Sequence, residues 1–116
     1  MAMIKRESSY RADAIGDNGK SFGLMQIQKR WHLERIKELG VTDLLDPKQN
    51  ITVGVNILAE LIDKCDGDDV YWVLMAYNGG VAYANRLTNN GTISEYAQYI
   101  TERAWELERE FYGDTY

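Results

Sequence analysis

Acidic and amide side chains standing beside aromatic ones are the residues of this chain that could do chemistry. Glu7 and Ser8 close the first apolar-containing segment, Asp13 and Asp17 follow in a loop-like stretch, Gln26 sits between Met25 and Ile27, and Asn78 sits between Tyr77 and Gly79. A carboxyl group can lend or take a proton, an amide offers a donor and an acceptor, and a tyrosine ring offers a flat face with a polar tip. Together they suit a neutral, hydroxyl-rich ligand such as a glycan. One at a time, each of these residue types is more often a solvated surface or turn residue, so spacing alone does not select among them.

Composition removes several alternatives. Cys65 is the only cysteine and His32 the only histidine. This excludes an intrachain disulfide, a zinc site of cysteine/histidine type and any Ser-His-Asp or Cys-His centre without His32. Asp66, Asp68 and Asp69 superficially suggest a calcium loop. Counted from Asp63, the sixth and twelfth positions are Asp68 and Leu74; counted from Asp66 they are Tyr71 and Tyr77, where such a loop needs Gly and Glu. No metal ion and no organic cofactor is expected. A formal charge of −5 repels phosphate backbones, and the basic pairs Lys5-Arg6 and Lys29-Arg30 are too short to form a patch, so no nucleic-acid partner is expected. No stretch approaches the ~20 apolar residues of a membrane span, and no apolar run of signal-peptide length follows Met1.

The elements that must position the candidate residues read as helical. The 116 residues make a single domain, and the apolar spacing between the lone Pro47 and the ten glycines follows a helical period. Asp46 followed by Pro47 marks an N-cap and first helical position, with Ile51, Val55, Leu58 and Ile62 predicted on one buried face and a stop near Gly67. Asp68 is predicted to cap a helix through Val70, Val73, Leu74 and Tyr77 up to Gly79-Gly80. Ser94 is predicted to cap a longer one through Ala97, Ile100, Ala104, Leu107 and Phe111 up to Gly113. Shorter helices are expected over residues 1–10, 29–39 and 81–87, and the longest loops over 12–22 and 87–92. Trp31, Trp72 and Trp105 are expected as core or lid residues, each with its indole N–H satisfied.

Four blocks in order carry a resemblance. They are Ile4-Lys5-Arg6-Glu7-Ser8-Ser9; Gly16-Asp17-Asn18-Gly19-Lys20-Ser21-Phe22-Gly23-Leu24-Met25-Gln26-Ile27; Ala76-Tyr77-Asn78-Gly79-Gly80; and Tyr96-Ala97. With Asp46-Pro47-Lys48-Gln49-Asn50 entering a helix between them, the chain resembles glycoside hydrolase family 23, the goose-type lysozymes and soluble-type lytic transglycosylases. The resemblance implies a mainly α, lysozyme-like domain over residues 1–116 with a substrate cleft, few or no strands and a shortened N-terminal helix, since only six residues precede Glu7.

It also implies an activity: cleavage of the β-1,4 bond between N-acetylmuramic acid and N-acetylglucosamine in peptidoglycan. Glu7 matches the catalytic acid, which must arrive protonated, and Ile4, Leu24, Met25 and Tyr77 are apolar enough to wall it from water. In a lytic transglycosylase the same group then takes the proton of the muramic acid 6-hydroxyl, which closes a 1,6-anhydro ring. Two alternatives stay open: a goose-type hydrolase in which Asp17 positions water, and a non-catalytic glycan-binding module on the same fold. The matched sugar contacts are Gln26, Met25, Tyr77, Asn78 and Tyr96, with His32 at the cleft rim or surface. The implied partner is the peptidoglycan glycan strand, and the full-length protein is expected to be exported or wall-associated.

Overall fold

Residues that punctuate the sequence also bound its helices. A computed structural model describes residues 2–112, with six helices, a short 3-10 turn and one small sheet among them. Two compact units partition the chain: Met3–Ile57, and Leu58–Tyr116 together with Met1–Ala2.

The unit Met3–Ile57 opens on α1 (Ala2–Ser8), of which Ala2 is counted with the other unit. A three-stranded antiparallel sheet follows, β1 (Ile15–Gly16), β2 (Ser21–Phe22) and β3 (Ile27–Gln28), in the order β1-β2-β3. Its register pairs Ile15 with Phe22 and Gly16 with Ser21, then Ser21 with Gln28 and Phe22 with Ile27. The expected loop over 12–22 thus contains a hairpin, whose strands are too short to give an alternating signal. Next come a 3-10 turn (Lys29–Trp31) and α2 (Leu33–Glu38), where one continuous helix was expected.

The long helix α3 (Pro47–Lys64) starts where Asp46-Pro47 predicts. The Gln49 N–H donates to the Asp46 carboxylate at 3.0 Å. The Gln49 side chain in turn accepts from the backbone N–H groups of Thr42 at 2.7 Å and Asp43 at 3.2 Å, so one first-turn donor and two donors of the preceding loop are satisfied. Its buried face differs from the predicted one. Val55 and Ile62 are exposed, while Asn50, Val53, Gly54, Ile57 and Leu61 are buried. Hydropathy placed the stripe one residue too far along because the inward face includes an asparagine and a glycine, which no apolar count selects.

In the second unit α4 (Val70–Gly79) buries Val73, Leu74, Met75 and Ala76. Its cap is Asp69, whose carboxylate accepts the Trp72 N–H at 3.0 Å, and not the expected Asp68. The geometry decides this: Asp69 stands directly before the first helical residue with extended backbone, which lets its side chain reach the third helical N–H. Helix α5 (Val81–Asn89) runs two residues past the expected end. Helix α6 (Glu95–Tyr112) is capped by Ser94 as predicted, its hydroxyl accepting the Ala97 N–H at 3.2 Å. Tyr96, Ala97 and Ile100 are buried, whereas Ala104 is exposed and only the first turns of the predicted stripe are covered. The side chain of Phe111, and Gly113, lie outside the described residues.

The tryptophans divide. Trp72 donates its indole N–H to Asn85 Oδ1 at 2.8 Å, tying α4 to α5. Trp31 is 67% exposed and Trp105 58% exposed, so neither is a core residue. Each lies under an arginine, Arg30 and Arg109 respectively, 4.8 Å from the ring centre, so a cation covers a face that apolar packing leaves open.

The two aspartates before α4 make a direct test. Asp69→Ala should lower unfolding free energy by about 1 kcal/mol and Asp68→Ala by less than about 0.5 kcal/mol, measured by chemical denaturation. The reverse order would return the cap to Asp68.

Candidate functional site

Glu7 lies in the last turn of α1, half-buried. The chain turns sharply behind it. Ser8 is 7% exposed and its hydroxyl donates back to Ile4 O at 3.0 Å. Ser9 (φ 53°) and Tyr10 (φ 64°) then take left-handed backbone in succession. Two turns carry the chain on, with the Arg11 N–H donating to Ser8 O at 3.1 Å and the Ala14 N–H to Arg11 O at 3.2 Å. Left-handed backbone at a tyrosine is costly and persists only where the surroundings impose it. Among the described residues six non-glycine positions have positive φ, and five of them, Ser9, Tyr10, Asp17, Asn18 and Gln26, fall between Glu7 and β3. Strain concentrated in one stretch is a mark of a functional region.

The Gly23-Leu24-Met25-Gln26 block is the tight connection between β2 and β3. Its Gln26 N–H donates to Gly23 O at 3.1 Å, closing a four-residue turn. Gly23 has φ 77°, and a Cβ there would run into the Asn50 amide and stand 2.5 Å from Leu44 O. Only glycine fits.

Asn50 is the residue behind this turn. It is fully buried at 0% exposure. Its Oδ1 accepts the Met25 N–H at 2.8 Å, and its Nδ2 donates to Phe22 O at 2.8 Å and to Leu44 O at 2.7 Å. One side chain of α3 therefore holds the residue before the turn, the third residue of the turn and the loop that leads into its own helix. One helical turn further on, Gly54 lies against Met25, and a Cβ there would overlap the Met25 sulfur. Met25 itself is 4% exposed, so it is first of all a packing residue. Apolar periodicity missed Asn50 and Gly54 as parts of the site. The signal available for them was an asparagine and a glycine four apart, which places both on one face of the helix.

Asp17 stands at the exposed tip of the β1–β2 hairpin with φ 50°, followed by Asn18 at φ 58°. Its Oδ2 accepts the Ser21 hydroxyl at 2.5 Å, and the Lys20 N–H donates to Gly16 O at 3.0 Å across the turn. Ser21 is 1% exposed, so the carboxylate is anchored at its base to a buried group. His32 joins the 3-10 turn to α2, half-buried. Its Nδ1 accepts from Arg35 Nε at 3.4 Å, and Arg35 also reaches Asn56 Oδ1, linking α2 to α3.

In the second unit, Tyr77 and Asn78 occupy the last turn of α4, with Tyr77 half-buried and Asn78 exposed. The Gly80 N–H donates to Ala76 O at 2.8 Å, ending α4 before α5 begins. Gly79 is exposed but lies beside the Tyr83 ring, which a Cβ would strike. Tyr96 lies buried in the first turn of α6. Of the sequence-derived residues, Met25 and Gln26 thus share one turn, Asp17 the adjoining hairpin, Tyr77 and Asn78 one helix end. Among the described residues no group of three or more His, Cys, Asp or Glu side chains is placed to hold a metal ion, and no helix is long and apolar enough to cross a membrane.

Comparison with known proteins gives a family match. The family model "Transglycosylase SLT domain" matches residues 1–100. The chain is 42% identical to a transglycosylase of Enterobacteria phage PRD1 over 72% of its own length and 29% of that protein. It is 32% identical to lysozyme g of Casuarius casuarius, covering 88% of this chain and 59% of the relative. It is likewise 32% identical to membrane-bound lytic murein transglycosylase F of Desulfosudis oleivorans, covering 98% and 26%. The chain therefore spans less than two thirds of each of these relatives. An inactive mutant of lytic transglycosylase Slt from Pseudomonas aeruginosa matches in structure with a TM-score of 0.68 over 85% of this chain and 19% of that one; at 22% identity this is a likeness of fold.

If Asn50 secures the turn, Asn50→Ala leaves two carbonyls and one N–H buried without partners, at about 1–3 kcal/mol each. A loss of roughly 3 kcal/mol or more in denaturant titration is expected, and a similar loss for Gly23→Ala from strain and collision. A loss below about 1 kcal/mol for both would show that the turn holds by other means.

Proposed function

The chain belongs to the Transglycosylase SLT domain family, and on that footing we propose that it is a lytic transglycosylase cutting the β-1,4 bond between N-acetylmuramic acid and N-acetylglucosamine in peptidoglycan strands. The observation that supports this most is Glu7 itself. It is the carboxyl group at the end of α1, half-buried, and it is followed by the strained run that leads to the Gly23–Gln26 turn. A general acid must be fixed in place before substrate arrives, and a carboxyl on a helix end with imposed backbone behind it meets that need.

In the proposed reaction Glu7 gives its proton to the glycosidic oxygen as the bond to the muramic acid anomeric carbon breaks. The resulting Glu7 carboxylate takes the proton from the 6-hydroxyl of the same sugar. That oxygen bonds to the anomeric carbon, which restores the acid and leaves a 1,6-anhydro end. No water is consumed. Hydrolysis of the same bond needs a group to position water on the other face of the sugar. Asp17 is that candidate, although its carboxylate already accepts the Ser21 hydroxyl and so has an evident task in the hairpin. The neutral residues Tyr77 and Asn78 are proposed to meet the sugars through a ring face and hydrogen bonds; Met25 and Tyr96, both almost wholly buried, are proposed as packing support for the contacts, with His32 peripheral. The site of action follows from the substrate: a wall-associated or periplasmic location for the protein of which this chain is all or part.

Glu7→Gln keeps the shape and removes the transferable proton. Lysis of a purified wall suspension should fall by about 10²-fold to 10⁴-fold while the fold and sugar binding persist. Near-normal lysis by this variant would sink the assignment. Mass spectrometry of the parent's products should show 1,6-anhydro ends, lighter by one water than reducing ends. Reducing ends as the main product, lost in Asp17→Asn, would move the protein to the lysozyme side; a chain that binds strands without cutting them would be a glycan-binding module.

Binding of a neutral chitooligosaccharide should be nearly independent of salt, because the proposed contacts carry no charge. Asn78→Ala should weaken it by roughly 1–3 kcal/mol, read by calorimetry. Unchanged affinity in that variant would remove Asn78 from the contact set.

A further inference from the structure

Both amide hydrogens of Gln26 are committed to the protein. Nε2 donates to Ala14 O at 3.1 Å and to Gly23 O at 2.9 Å. Both partners are carbonyl oxygens, which only accept, so chemistry alone orients the amide with its nitrogen toward them. Oε1 is left as an acceptor and lies against Gly16, where a Cβ would overlap it. No hydrogen remains on this side chain for the acetamido carbonyl of a sugar.

What the two bonds hold is the segment that leaves α1. The linked turns from Ser8 through Arg11 end at Ala14, whose carbonyl also accepts the Gly23 N–H at 2.8 Å. Ala14 is thus the far anchor of a run that starts beside Glu7 and passes through the left-handed residues Ser9 and Tyr10. A run of that kind relaxes if its anchor is released. Gln26 is itself in left-handed backbone at φ 51°, and its own N–H shares Gly23 O with its side chain, so the amide is folded back over the turn it closes. The opposite side of the same turn is held by Asn50 through the Met25 N–H.

We propose that Gln26 is a positioning residue: its amide ties the segment behind Glu7 to the Gly23–Gln26 turn and so fixes where the Glu7 carboxyl stands, without donating to the sugar. This deepens the transglycosylase reading and rests on it for its kinetic consequence, while the clamp itself can be read without any activity.

Gln26→Glu keeps the size and the acceptor atoms, loses both hydrogens and sets a negative charge against two carbonyls. The expected result is a fall in kcat on defined glycan strands of about tenfold to a hundredfold with affinity for a neutral chitooligosaccharide within about twofold. Hydrogen exchange at the Gly23 amide should accelerate about tenfold or more, referred to the Gln98 amide, which bonds Ser94 O in the other unit. A second measurement uses the unmodified protein: nuclear magnetic resonance should show the two Gln26 side-chain hydrogens protected, and still bonded to Ala14 O and Gly23 O when the chain is saturated with chitooligosaccharide. Loss of either bond in that complex would overturn the proposal. So would a Gln26→Glu chain that exchanges normally at Gly23 and loses about tenfold or more in sugar affinity. A parent chain that leaves walls intact would remove the transglycosylase reading, whereas the exchange and resonance results decide the clamp by themselves.

Discussion

The buried amide of Asn50 is the interaction on which the rest of the unit Met3–Ile57 depends. A fully buried asparagine is tolerable only if its polar atoms find partners, and here they find Met25 N–H, Phe22 O and Leu44 O at 2.7–2.8 Å. The three partners are backbone groups at the end of β2, in the turn that follows it and in the loop before α3. By meeting those needs from a rigid helix, one side chain makes the conformation of the 22–25 segment a property of α3. Gly23 and Gly54 then follow as necessities, because the backbone must approach Asn50 closely and Met25 must lie across α3.

Strain in the region is the counterpart of that rigidity. Ser9, Tyr10, Asp17, Asn18 and Gln26 all hold left-handed backbone, at about 1 kcal/mol or more each. Such a run is stable only because many hydrogen bonds impose it: Gly23 N–H and Gln26 Nε2 on Ala14 O, the Ser21 hydroxyl on Asp17, Met25 N–H on Asn50. The carboxyl group proposed as the acid, Glu7, gains from this arrangement, since its reach is set before substrate binds and little is left to reorganise. The helices farther along the chain are ordinary by comparison, with Asp69 and Ser94 as caps.

Charge contributes to neither fold nor proposed binding in an organised way. The net charge of −5 is carried on solvated faces such as α6, where Arg103 meets Glu106 at 3.0 Å and Glu110 at 3.5 Å. The hydrogen bond that the Arg103 guanidinium donates to Glu106, with the charges of Glu110 and Glu106 nearby, pushes it still higher, which leaves it charged at any working pH. Exposed pairs of this kind add little stability. The two exposed tryptophans lie under arginines and so keep a cation against their open faces.

How much was legible from residues alone depends on the range of the interaction involved. Asp46-Pro47 and Ser94 announce helix starts because a cap acts on N–H groups within three residues, and Gly79-Gly80 announces an end for the same reason. The mainly helical class followed from apolar period, and the ordered Glu7, Gly23-Leu24-Met25-Gln26 and Tyr77-Asn78 blocks carried the family. Even here a one-residue choice between Asp68 and Asp69 was decided by backbone angle rather than residue type. What only the tertiary structure decided was which way α3 faces, what Asn50 and Gly54 are for, and that Gln26 is turned toward Ala14 and Gly23. Each of these is a polar or close-approach contact between segments distant in sequence. Hydropathy cannot register such contacts, because an inward-facing amide looks identical to a solvated one until its partners are in place.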